Sequence, residues 1–158
     1  MTKPTILIAD DEPSEIAFIE ELFQRAGIAN PVQKLPDGQA VMDYLKGDGI
    51  YRDRVQHPFP VLLILDLVMP RKSGWEVLTW MTTRANKLPL DVVVVSKASD
   101  FDSQRMAFEC GARTFLTKPF GIESLLNLLN ALTHAQLEAR EEGYELGRSA
   151  DRTLPWFV

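Results

Sequence analysis

Short aliphatic runs alternate with segments of helical period along most of this chain, and that alternation constrains the fold more than any other feature. The runs are Ile6–Ala9, a weaker Val32–Leu35, Val61–Leu65, Val92–Val95 and Thr114–Thr117. Strands this apolar are buried on both faces, as they are in a parallel sheet covered by helices. Between the first two runs, Pro13 suits a first helical turn. Ile16, Ile19, Phe23 and Ala26 then recur at helical spacing, and Gly27 follows as a stop. Ala40, Val41, Tyr44 and Leu45 mark a second helix, and Val77, Leu78 and Met81 a third. Met106, Ala107 and Cys110, closed by Gly111, mark a fourth, and a fifth runs from about Ile122 through Leu125, Leu126, Leu129 and Leu132. Five β/α units result. Right-handed crossovers arrange them as an open, doubly wound α/β fold, a five-stranded parallel sheet with helices on both faces. Its ligands gather outside the carboxyl ends of the strands.

At 158 residues, with 46% hydrophobic and 25% charged side chains, the chain is long enough for one well-packed domain and an appendage. The division expected is a main domain over 1–135 and a C-terminal extension over 136–158. Lys46 to Pro60, rich in glycine, proline and charge, reads as a long surface loop. From Ile122 to about Glu142 the pattern continues as helix, and the chain ends on apolar Leu154-Pro155-Trp156-Phe157-Val158. Seventeen basic against twenty-two acidic residues give a net charge of −5, which offers nothing to nucleic acid or anionic lipid. A single cysteine, Cys110, and two scattered histidines, His57 and His134, make neither a disulfide nor a His/Cys zinc site. Met1-Thr-Lys-Pro opens no signal peptide, and no apolar run approaches the ~20 residues that span a bilayer. A soluble, cytoplasmic protein is expected.

The strand ends carry the chemistry. The first strand runs into Asp10-Asp11-Glu12, the third into Asp66, the fourth into Ser96 and the fifth into Lys118-Pro119. Singly, each has a plain structural use: a helix cap, a turn hydroxyl, a surface charge. Together at one sheet edge they form an all-oxygen acidic cluster suited to Mg²⁺, beside a hydroxyl and an ammonium, where a phosphoryl group can be received.

Taken with Ile6-Leu-Ile-Ala-Asp-Asp-Glu, Leu63-Ile-Leu-Asp66-Leu-Val-Met-Pro70, Gly74, Val92-Val-Val-Val-Ser96, Gly111-Ala112 and Phe115-Leu-Thr-Lys118-Pro-Phe120, the chain resembles the response-regulator receiver domains of two-component signalling over residues 5–134. The resemblance implies the flavodoxin-like strand order 2-1-3-4-5. It implies Asp66 as phosphoacceptor and Mg²⁺ held by Asp10, Asp11, Asp66 and the Val68 backbone carbonyl. Lys118 then contacts the phosphoryl group, with Ser96 and Phe115 as switch residues. The donor implied is a sensor histidine kinase. The long loop is similar to that of single-domain regulators serving phytochrome-type kinases, and the same resemblance implies a homodimer through the fourth helix, fifth strand, fifth helix and C-terminal extension.

Three positions depart from the family pattern: Ser73 precedes Gly74 where Asp is usual, Val68 places no polar side chain two residues past Asp66, and Lys97 follows Ser96. Val68 and Lys97 flank the path of a hydrolytic water, so slow dephosphorylation is expected. A flavin-binding relative would need a glycine- and hydroxyl-rich phosphate cradle after the first strand. A dehalogenase-type phosphatase would need a carboxylate where Val68 stands, and neither nucleotide-binding glycine motif occurs. The remaining alternative is a pseudo-receiver, an interaction module with the fold but no phosphate control.

Overall fold

The structure, a computed structural model, describes residues 4–83, 88–98 and 100–149. Five strands form one parallel sheet: β1 (Thr5–Ala9), β2 (Val32–Leu35), β3 (Pro60–Asp66), β4 (Asp91–Ser96) and β5 (Thr114–Thr117). Their order is β2-β1-β3-β4-β5, with all neighbours parallel. The connecting helices are α1 (Pro13–Arg25), α2 (Gly38–Lys46), α3 (Gly74–Thr82), α4 (Phe101–Glu109) and α5 (Ile122–Leu129).

The period of two along each strand divides the core. Ile6, Ile8, Leu62, Ile64, Val93 and Val95 face α1 and α5, where they meet Ile16, Ile19, Phe23, Leu125, Leu128 and Leu129. Leu7, Ala9, Leu63, Leu65, Val92 and Val94 face the other way, onto Val41, Tyr44, Leu45, Val77, Leu78 and Ala107. A register shift between Thr5 and Ile6 against β3 places Val61 on the same side as Leu62. Each fully buried leucine or isoleucine contributes roughly 1.5–3 kcal/mol, so these two layers dominate the stability. Sheet pairing fixes the strand ends level with one another: Leu65 lies opposite Ala9 and Val94, and Ser96 opposite Thr117.

Helix starts follow local chemistry. The Asp37 side chain accepts from the Ala40 amide at 2.8 Å, and Asp100 accepts from that of Ser103 at 2.9 Å. Ser73 closes a capping box with Glu76, each side chain accepting from the other residue's backbone N–H, so serine caps this helix start. The loop after α2 is ordered around aromatic rings. Tyr44 and Tyr51 pack against His57, the Tyr44 hydroxyl donates to Pro58 O, and Arg54 donates to the carbonyls of Leu45 and His57. Burial pushes the Tyr44 phenol up to about 12, so it remains a donor.

The helical continuation expected up to Glu142 is corrected. Helix α5 ends at Leu129, and the chain then forms an antiparallel hairpin of β6 (Ala135–Arg140) and β7 (Gly143–Arg148). One cause is Asp91, buried at the start of β4, whose carboxylate accepts from the amides of Thr133, His134 and Ala135 and turns the chain away from the α5 axis. Another is the Glu141-Glu142 turn closed by Gly143, at φ 98°. A side chain at Gly143 would also collide with Gly27 O, since its Cβ would lie 2.3 Å away. The hairpin docks on the same domain. Tyr144 exchanges backbone hydrogen bonds with Gly27 and Ala29, the Asn30 amide bridges both backbone groups of Leu146, and Leu146 is fully buried in the α1/α5 core. The apolar end, Leu154 to Val158, lies outside the described residues.

Candidate phosphoacceptor site

The carboxyl ends of β1, β3, β4 and β5 bring Asp10, Asp66, Ser96 and Lys118 together. Asp10, Asp66 and Ser96 are buried, whereas Asp11, one residue past the strand, is exposed. One carboxylate oxygen from each of Asp10, Asp11 and Asp66 lies within 4.8 Å of the other two. The Lys118 Nζ donates to Asp10 Oδ2 at 2.7 Å and lies 3.7 Å from Asp66 Oδ1. The Lys118 amide donates to Ser96 O at 2.8 Å, and a cis peptide joins Lys118 to Pro119. The hydroxyl of Ser96 accepts from the Ala98 amide at 3.1 Å. Phe115 is half-buried against the α2/α3 core. Val68 sits in the loop after Asp66 with its side chain outward, 74% exposed, where it offers no polar group.

The charges do not balance within the cluster. The pKa of Asp66 is raised to about 6, chiefly by burial; Lys118 and a hydrogen bond from the Val68 backbone pull it down, and Asp10 and Asp11 add to the rise. Burial disfavours the charged form of Lys118, but the Asp10 hydrogen bond and the charges of Asp66, Asp10 and Glu15 outweigh it, and its pKa is raised. Three acids and one ammonium leave an excess of negative charge. An all-oxygen donor set with spare coordination positions fits a hard divalent cation.

Residue spacing alone did not single out Glu15. It lies 4.0 Å from Lys118 Nζ, and its signal was position: four residues after Asp11, it falls in the first turn of α1, facing the strand ends. Lys97 reaches across to Glu12, at 3.7 Å, so it links the loops after β1 and β4 at the rim of the site.

A doubly wound sheet with an acidic triad and a lysine at its strand ends defines a receiver-type signalling module. The chain belongs to the response regulator receiver domain family, which it matches over residues 6–130. It is 27% identical over 133 residues to the response regulator Rcp1 of Synechocystis sp., covering 84% of this chain and 88% of that protein. The Mn(2+)-bound form of Rcp1 superposes with a TM-score of 0.67 over 79% of this chain and 88% of that one. Response regulator RPA3017, in red light signaling of R. palustris, superposes at 0.75 with 28% identity, over 82% of this chain and 94% of that one. The phosphorylated cyanobacterial phytochrome response regulator RcpA does so at 0.68 with 25% identity, over 80% and 89% respectively.

Proposed function

We propose that this receiver accepts a phosphoryl group on Asp66 from a phosphohistidine of a sensor histidine kinase of the phytochrome type, and signals by protein contact. The observation that carries the reading is the Asp66 carboxylate on the central strand, beside the Lys118 ammonium and within reach of Asp10 and Asp11. An Asp66 oxygen attacks phosphorus, the P–O bond forms as the P–N bond breaks, and the imidazole leaves. Lys118 offsets charge on the phosphoryl oxygens. Asp10, Asp11, Asp66 and the Val68 carbonyl are the residues to hold Mg²⁺, which when bound neutralises the crowded carboxylates and the incoming oxygens. Ser96 exchanges its Ala98 contact for a hydrogen bond to the new group, and Phe115 follows into the space vacated. The protein turns over no substrate beyond its own phosphorylation and slow dephosphorylation.

Support for the phytochrome assignment comes from RcpA, a phytochrome response regulator, and from RPA3017, in red light signaling, each similar over most of the chain. A cytoplasmic homodimer, joined through α4, β5, α5 and the C-terminal extension, is part of the same reading. Its check is sedimentation across a concentration range, with and without phosphorylation; a monomer throughout refutes it. The phosphoacceptor is tested with a labelled kinase or small-molecule phosphodonor. Acid-labile label should appear only with a divalent cation and vanish in Asp66→Asn. Label that persists in the variant refutes Asp66, and failure of the wild type to label favours the pseudo-receiver.

A further inference from the structure

The loop from Asp66 to α3 is held in an unfavourable backbone shape by a pair of residues outside the acidic cluster. Arg71 and Lys72 both have positive φ, 49° and 104°, although neither is glycine. Consecutive side-chain-bearing residues in that region persist only where their surroundings impose it. Here the constraint comes from the start of α2. Asp37 is 1% exposed and divides its carboxylate between two tasks: Oδ1 caps α2 through the Ala40 amide, while Oδ2 accepts from the Arg71 guanidinium, from Nε at 2.9 Å and from a terminal nitrogen. The next residue, Gly38, donates its amide to Lys72 O at 2.9 Å. That approach requires glycine, because a Cβ at position 38 would lie 2.2 Å from Lys72 O. Buried Leu67 and Met69 anchor the near part of the same loop, and the Gly74 amide donates to Leu67 O. Val68 therefore lies on a short span fixed at both sides.

We propose that Asp37 and Arg71 are positioning residues for the cation site: their ion pair, with the Gly38–Lys72 hydrogen bond, holds the loop after Asp66 in the shape that presents the Val68 carbonyl to Mg²⁺. The inference rests on the reading of the acidic cluster as a cation site. Neither residue touches the cation, so both act through the loop. The Arg71 side chain is 75% exposed, and its truncation opens no cavity, which makes Arg71→Ala the informative variant. Arg71→Lys keeps the charge without the two-nitrogen grip, and Asp37→Asn keeps a capping oxygen while removing the ion pair.

The experiment titrates Mg²⁺ into the full chain by calorimetry, with urea denaturation of the cation-free protein alongside. Arg71→Ala and Asp37→Asn should each weaken Mg²⁺ binding roughly tenfold, the scale seen when an outer partner of a metal ligand is removed, and Arg71→Lys should recover part of it. Phosphorylation by a small-molecule donor should need correspondingly more Mg²⁺ and reach the wild-type extent at saturation. A purely structural role would lower the urea midpoint and leave the Mg²⁺ affinity of the folded variant unchanged. That result overturns the proposal. If wild-type protein binds no Mg²⁺, or binds it equally well in Asp10→Asn, the cation-site reading itself falls.

Discussion

Replacing Asp66 with asparagine tests the charge imbalance at the strand ends without altering shape. Asp66 carries a pKa of about 6, against 3.8 for the free side chain, chiefly through burial and secondarily through Asp10 and Asp11, which Lys118 only partly offsets. Between those two values the folded chain holds a proton that the unfolded chain has released. Stability therefore falls as pH rises through that window, and the full penalty is present above about pH 6. A displacement of about two pH units at about 1.4 kcal/mol each sets a ceiling of about 3 kcal/mol. Asparagine removes the penalty but also removes a neighbour of Lys118, which keeps Asp10 at 2.7 Å. The expected net gain is about 1–3 kcal/mol for Asp66→Asn at pH 7.5 with chelator present, shrinking towards zero below pH 4. Urea denaturation followed by circular dichroism at both pH values measures it. Added Mg²⁺ should narrow the difference, since the wild type gains about 2.7 kcal/mol at a hundredfold excess over its dissociation constant and the variant gains less. A variant no more stable than wild type at pH 7.5 without divalent cation, or a difference independent of pH, refutes this account.

Leu146→Ala should lower stability by about 2–5 kcal/mol, seen as a lower urea midpoint, because Leu146 is fully buried in the α1/α5 core. Asp91→Ala removes the acceptor shared by the Thr133, His134 and Ala135 amides. It should cost about 1–3 kcal/mol and speed hydrogen exchange at those three amides, while unchanged exchange would deny the carboxylate its anchoring role. Val68→Asn should shorten the lifetime of the phosphorylated protein by placing a polar group two residues past Asp66, and a lifetime equal to or longer than wild type would dismiss the shielding expected of Val68.

The central strands were legible because burial on both faces leaves short apolar runs rich in Val, Ile and Leu, too short for buried helices. The strand ends Asp10, Asp66, Ser96 and Lys118 followed from the same boundaries. The hairpin was not legible in the same way. Leu137, Glu138, Arg140, Glu141, Glu142 and Glu145 mix charge and apolar residues at spacings that suit a helix as well as a strand. What decides between them is tertiary: Asp91 lies 42 residues before Thr133, and the Asn30 amide that binds Leu146 is 116 residues away. Arg71 and Asp37 escaped notice for the same reason, since a loop arginine and a helix-capping aspartate each have an ordinary local use, and only folding joins them.

The location of the hairpin changes how the C-terminal extension can be studied. Arg148 donates to Pro89 O and Pro60 O, which precede β4 and begin β3, and Asp91 and Asn30 bind it from the starts of β4 and β2. All these contacts lie at the amino ends of the strands, whereas Asp10, Asp66, Ser96 and Lys118 lie at the carboxyl ends. Cutting the chain after Ala135 would remove Leu146 from the core and strip the Asn30 amide of both its Leu146 hydrogen bonds, leaving only Pro4 O, so a loss of dimer in that truncation would not separate assembly from stability. Substitution of an exposed hairpin residue avoids this. Tyr144 is 43% exposed, and Tyr144→Glu retains the backbone hydrogen bonds to Gly27 and Ala29. If the extension belongs to a dimer interface, Tyr144→Glu should shift sedimentation towards monomer at an unchanged urea midpoint and with full labelling of Asp66. A dimer as tight as wild type would take this face of the hairpin out of the interface.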